Sequence, residues 1–347
     1  MEKLTNLLDM NHAWLSEYLT SIGQPTYRTA QLYNWMMQGA ALGEMSNLPK
    51  AMRERIAADG VYTLPKVVTK QTSKDGTTKF LFELADGERV ESVVMKYRHG
   101  NSICVSTQAG CRMGCKFCAS SDHGGGAKFS RNLTSGEMLG QVIVAQREIG
   151  ERIGGIVLMG VGEPLDNYDN VLGFIRAAGA ENGLNISLRS VALSTCGLAD
   201  KIRQLAEEEL PITLSVSLHA PDDHIRSEIM PINARWGVDE VLAATRDYFR
   251  ATGRRVSFEY LMLAGVNDGD NQANDLAEKL QKYMRDMPYH VNLIPWNDVG
   301  GRFAPSHPAA VSRFNERLRR HGVNSTVRRS LGTDIAAACG QLRAGAK

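Results

Sequence analysis

The chain has 347 residues, with 40 Lys and Arg against 38 Asp and Glu, a formal net charge of +2. That balance excludes a polycation held on nucleic acid by bulk charge. An apolar content of 43% with 22% charged residues fits a soluble globular chain, long enough for one large domain and a smaller one. No apolar run approaches the roughly 20 residues that span a bilayer. Met1-Glu2-Lys3-Leu4-Thr5 has no signal-peptide architecture. A cytoplasmic protein is expected, where thiols stay reduced.

The first segment, 1–60, reads as a small helical domain. Leu15, Tyr18 and Leu19, then Tyr27, Ala30, Leu32, Trp35 and Met36, then Met52, Ile56 and Ala57 recur at helical spacing, punctuated by Gly23-Gln24-Pro25, Gly39 and Leu48-Pro49. Over 61–97 the period changes. Val67–Thr69, Lys79–Leu84 and Val90–Met95 read as strands separated by Asp75-Gly76 and Asp86-Gly87, which predicts an antiparallel β-meander. From 98 to 330 strands and helices alternate. Strands are expected at Ser102–Thr107, Gly155–Met159, Ser190–Ser194, Ile212–Leu218, Val256–Met262 and His290–Ile294. Helices are expected around 134–150, 167–180, 199–208, 238–251 and 271–285, with a last helix near 307–321 and a strand near 323–329. Repeated βα units imply parallel strands, and the fold class is α/β, an incomplete (β/α)6 barrel. Residues 331–347 form a tail. Arg302, Arg313, Arg317, Arg319, Arg320, Arg328, Arg329, Arg343 and Lys347 crowd the last fifty residues, a local basic surface suited to phosphate or a solvated helix face.

The chemistry starts at Gly110-Cys111-Arg112-Met113-Gly114-Cys115-Lys116-Phe117-Cys118, a C-x3-C-x2-C pattern. Thiolates so spaced can converge on one soft metal centre. A structural zinc site wants four protein ligands, whereas an iron–sulfur cubane held by three cysteines leaves one iron open. His123 could complete a Cys3His zinc site, but no second C-x-x-C or H-x3-H pair accompanies it. In parallel barrels the reactive groups sit in loops at the C-terminal ends of the strands, and further motifs fall there. They are Met159-Gly160-Val161-Gly162-Glu163-Pro164, Ser194-Thr195, Ser215 to His219, and Asn297. Each alone is ordinary turn chemistry. Cys104, in the first barrel strand, and Cys339, in the tail, stand apart from the triplet.

Together with Thr107-Gln108-Ala109-Gly110-Cys111, Ser217-Leu218-His219-Ala220, Met230-Pro231-Ile232-Asn233, His290 to Pro295 and Ala337-Ala338-Cys339-Gly340-Gln341-Leu342, these motifs resemble the radical S-adenosylmethionine (SAM) RNA adenine methyltransferases of the RlmN/Cfr family, from about residue 25 to the end. The resemblance implies a [4Fe–4S] cluster on Cys111, Cys115 and Cys118, with SAM on its open iron. It implies SAM contacts from Gly162, Glu163, Ser194, Ser217, Leu218, His219 and Asn297. Cys339 then takes a methyl group from one SAM. A radical made from a second SAM activates that methyl, which is joined to C2 of an adenine in 23S rRNA, with tRNA as a second candidate substrate. Cys104 resolves the protein–RNA crosslink through a transient disulfide, and Glu91 matches the carboxylate assigned to proton transfer, although from the sequence alone it is an exposed strand charge. Cys196 matches no functional position and is read as structural. An external electron donor such as flavodoxin or ferredoxin, and a monomer, are expected. Two alternatives stay open, Cfr-type methylation at C8 and a non-catalytic zinc RNA-binding protein.

Overall fold

The computed structural model describes residues 6–121 and 128–343. His123 and Lys347 lie outside them.

Three short helices come first, α1 (His12–Ser21), α2 (Arg28–Met37) and α3 (Lys50–Asp59). The Asn11 side chain caps α1 by accepting from Trp14 N, and Gly60 ends α3 in the left-handed region that glycine tolerates. Leu15, Leu19, Leu32, Met36, Met52 and Ile56 are buried, as their spacing predicts. Ala30 and Ala57 instead face outward, and Tyr27 is 59% exposed.

Strands β1 (Lys66–Thr72), β2 (Thr78–Glu83) and β3 (Arg89–Tyr97) form the expected meander. They are not a separate layer. β3 runs antiparallel to β4 (Gly100–Cys104), and β4 opens a parallel series through β7 (Ile153–Leu158), β8 (Val191–Thr195), β9 (Thr213–Ser217), β10 (Val256–Met262), β11 (Tyr289–Pro295) and β12 (Ser325–Val327). The whole is one ten-stranded sheet with β1 and β12 at its ends, so the barrel is incomplete. A short pair, β5 (Gln108–Ala109) with β6 (Arg131–Asn132), brackets the loop that bears the cysteine triplet.

The connecting helices are α4 (Ser135–Ile149), α5 (Tyr168–Gly179), α6 (Ala199–Ala206), α7 (Asp223–Ile229), α8 (Val238–Thr252), α9 (Asp270–Met284) and α10 (Pro308–Arg320). All but α7 match expected segments to within two residues at each end. Seven residues hold too little apolar periodicity to announce a helix. Among the described residues no helix is long and apolar enough to cross a membrane.

The amino-terminal helical segment seats on α4 through its glycines. A Cβ on Gly140 would lie 2.5 Å from Pro65 Cδ, and one on Gly136 would lie 2.8 Å from Leu8 Cβ. Asp9 accepts from Gly136 N (2.5 Å) at the start of α4, where the exposed N–H groups favour an anion, even though burial raises the Asp9 carboxyl. Gly140→Leu is therefore expected to lower unfolding stability by about 1–3 kcal/mol in a denaturant titration. An unchanged midpoint would mean that this contact is loose.

Candidate active site

The strand ends enclose a cavity with about 1010 Å3 of empty space, open mouth included. Cys111, Cys115 and Cys118 line it, together with Gly162, Glu163, Ser194, Ser217, His219 and Cys339. The triplet therefore shares one chamber with most of the expected SAM contacts and with the tail cysteine. All six cysteines are free. Among the described residues no group of three or more His, Cys, Asp or Glu is closed around the position of a metal ion. Burial raises all three thiols of the triplet, Cys111 to about 12. Three thiols on one wall of a cavity, each sensing another's charge or the polar groups of the loop, suit a cluster that draws them into thiolate form. The loop's aromatic residue is held as well. Trp296 Nε1 donates to Phe117 O (3.3 Å), and the Phe117 ring meets His219 edge-on at 5.0 Å.

Glu163 is 3% exposed, and its carboxylate accepts from Leu165 N (3.0 Å) and Cys196 N (2.7 Å). Burial raises its pKa and those bonds oppose the rise. Gly162 sits at φ +114°, and a Cβ there would come within 2.6 Å of Thr107 Oγ1, so only glycine allows this close approach.

Two expected SAM contacts are placed differently. Leu218 is fully buried, and only its backbone reaches the strand-end network. Asn297 lines a smaller side cavity and donates to the Cys339 carbonyl (3.1 Å). Glu91 corrects the sequence reading of an exposed charge. It is 5% exposed, paired with Lys79 Nζ at 3.2 Å, and accepts from Arg343 N at 2.7 Å. The meander continues the main sheet and the tail lies over it, so a strand position that would face water in a free hairpin is covered.

The tail is strapped down rather than free. Ala119 N donates to Gly340 O (2.8 Å), Ser120 Oγ to Leu342 O (2.7 Å) and Gln341 Nε2 to Asp298 O (3.0 Å). Cys339 keeps open surface, yet that surface faces the cavities amid dense protein. Burial raises its thiol, while the neighbouring Arg328 pulls the other way. Cys104 is buried on β4 and lines a side cavity with Cys339, Met159 and Arg328. Burial, then the nearby Cys339, pushes its thiol to about 12.

Sequence reasoning missed Arg328 and Glu259. The sequence reading placed Arg328 in a basic surface suited to phosphate or a solvated helix face, but the structure puts it in the cavity wall. Its Nη1 lies 3.8 Å from Glu259 Oε2. Burial works to lower its pKa, and Cys339 and Glu259 outweigh that and leave it raised. Arg317 is likewise paired, with Asp270 at 2.6 Å. The signal for Arg328 was its place one residue beyond a barrel strand. For Glu259 it was a lone acid inside a largely apolar strand.

His219 adopts φ +59°, fixed by Asn267 Nδ2 donating to its carbonyl (2.8 Å) and by Leu261 N donating to its Nδ1 (3.0 Å). Nδ1 is thus an acceptor, the ring is neutral, and Nε2 carries the proton. Burial, then Arg226, lowers its pKa to about 3. Between pH 6.5 and 3 the unfolded chain binds this proton and the folded one does not, so stability falls as pH drops through that window. His219→Gln is expected to remove up to about 2 kcal/mol of the stability difference between pH 6.5 and pH 5, measured by urea titration at both. An unchanged pH slope would contradict the neutral, buried assignment.

Comparison with known proteins identifies the family. A family model described as the Radical SAM superfamily matches residues 105–277, and one described as the ribosomal RNA large subunit methyltransferase N-terminal domain matches residues 5–60. The chain is 46% identical over 344 residues to a probable dual-specificity RNA methyltransferase RlmN of Clostridium novyi, covering 98% of both chains. It is 50% identical to the protein of the same description from Pelotomaculum thermopropionicum, covering 97% of this chain and 91% of that one. A crystal structure of a radical SAM methyltransferase from Sphaerobacter thermophilus superposes with a TM-score of 0.92 at 41% identity, covering 98% of this chain and 99% of that one. The chain therefore belongs to the RlmN family of radical SAM RNA methyltransferases, enzymes that work with a [4Fe–4S] cluster and SAM.

Proposed function

We propose that this enzyme methylates C2 of an adenine in 23S rRNA, and of an adenine in tRNA as the dual-specificity description of its relatives suggests, by carrying the new carbon on Cys339. The observation that carries this reading is that Cys339 borders both the chamber of the cysteine triplet and the side cavity of Cys104. One thiol can thus meet the methyl donor on one side and its resolving partner on the other.

Cys111, Cys115 and Cys118 would hold the cluster. The backbone around Gly162, the Glu163 carboxylate and the polar groups of Ser194, Ser217 and His219 would bind SAM. When bound, cluster and SAM supply the electron and the radical that activate an inert C–H bond. The residues of the chain do the rest. Cys339 Sγ must lose its proton to displace a methyl group from SAM, and Arg328 beside it favours the thiolate against burial. An adenine C2–H is neither acidic nor nucleophilic, which is why the carbon has to arrive in activated form. Glu91 would take the proton released as aromaticity returns, a role that its burial and its place under the tail support. Cys104, which shares a side cavity with it, would then attack Cys339 Sγ as a thiolate, forming the S–S bond as the S–CH2 bond to the base breaks. The released carbon takes a proton to become the methyl group, leaving a Cys104–Cys339 disulfide to be reduced. An external electron donor such as flavodoxin or ferredoxin would supply electrons, and the enzyme would act as a cytoplasmic monomer.

Cys339→Ala is expected to keep iron and sulfide at about a 4:4 ratio while turnover falls to background. Continued methylation by that variant would end the two-step scheme. Cys104→Ala is expected to accumulate a covalent protein–RNA adduct on denaturing gels, and clean product release would remove its resolving role. Mass spectrometry of digested RNA should give 2-methyladenine; 8-methyladenine would move the reaction to the Cfr-type position.

A further inference from the structure

One buried cation plays no part in the chemistry above. Arg226, on α7, is 0% exposed. Its five N–H groups meet five acceptors. Nε donates to Leu218 O (3.1 Å), Nη1 to Asn233 Oδ1 (2.9 Å) and Trp236 O (3.1 Å), and Nη2 to Cys196 O (2.6 Å) and, at the margin, Ser217 O (3.4 Å). Among the described residues no carboxylate accepts from it. A fully desolvated guanidinium is costly unless every donor is used, and here carbonyl dipoles rather than a counter-ion satisfy it. Cys196 follows β8, and Ser217 and Leu218 end β9, so one side chain ties together two strand ends on the cavity wall. The helix that carries it is also tied to the cluster loop, because Lys116 N donates to Ile229 O (3.0 Å) and Met230 lines the cavity. Cys115 and Arg226 feel each other's charge.

We propose that Arg226 is a positioning residue. Its guanidinium locks the Cys196 and Ser217–Leu218 loops in the shape that receives SAM, and the helix that carries it, tied to the cluster loop at Lys116, brings a buried positive charge near Cys115. The proposal rests on the reading that the cluster and SAM occupy this cavity. A fixed positive charge at a cluster ligand favours the reduced state, because reduction adds negative charge where the dielectric is low. A lysine would keep the charge but has three donors on a flexible stem instead of a planar fork of five.

The two roles separate experimentally in anaerobically loaded protein, with the cluster potential followed by electron paramagnetic resonance and SAM itself titrated by calorimetry. The unaltered protein tests the underlying reading; if it holds no cluster and binds no SAM, that reading fails whatever Arg226 does. Given a loaded wild type, Arg226→Met is expected to move the potential to a more negative value. Arg226→Lys is expected to keep the wild-type potential and bind SAM about 10-fold more weakly, the scale of outer-shell substitutions. An unshifted potential in a folded, loaded Met variant overturns the electrostatic role. Unchanged SAM affinity in the Lys variant overturns the positioning role, and this second measurement decides the matter if the Met variant does not fold by circular dichroism.

Discussion

The backbone of Cys196 is gripped from both sides. Glu163 accepts its N–H at 2.7 Å and Arg226 donates to its C=O at 2.6 Å. Two buried, oppositely charged side chains thus meet across one residue without touching each other. From Glu163 the chain of bonds runs back through its own N–H to Gln108 Oε1 (2.9 Å), at the base of the cluster loop. From Arg226 it runs to the end of β9. The ends of adjacent parallel strands are therefore held in register by side chains where backbone pairing has stopped. Without that grip the loops would be free to move, and a chamber that must orient a small charged ligand would lose its shape.

The electrostatics of the chamber follow from burial. Desolvation raises every cysteine in it and lowers His219, so without help the groups stay uncharged. Arg328 is a cation in the chamber wall, and Arg226 is buried beside Cys196. The chamber thus keeps its thiols protonated until a positive centre is bound, with Arg328 favouring the Cys339 thiolate, while its imidazole remains a neutral donor across the ordinary pH range.

The βα period was legible because parallel strands buried on both faces read as near-continuous apolar runs between amphipathic helices. The site was legible for the same reason, since motifs at strand ends must converge once the strands align. Tertiary covering was not legible. Glu91 reads as surface until the tail is laid across it, and Arg328 reads as part of a basic patch until β12 carries it to the chamber. Helix α7 was missed because its reason for forming lies in what Arg226 touches rather than in any periodic apolar face. Cys196, read as structural, is tied through its peptide N–H and C=O to Glu163 and Arg226, and its thiol also bonds the Glu163 carboxylate.

The ties between the tail and the first hairpin carry a kinetic consequence. Ser73 and Asp334, bonded at 2.5 Å, lie 261 positions apart, and Asp75 holds Gly332 N at 2.9 Å. Closing so long a loop costs far more chain entropy than closing the hairpin beside it. Such contacts therefore form after the sheet has condensed, and they open first under mild denaturant. Cys339 rides on a segment held by such distant contacts, so partial unfolding that released the tail would take this thiol out of the chamber well before the core is lost.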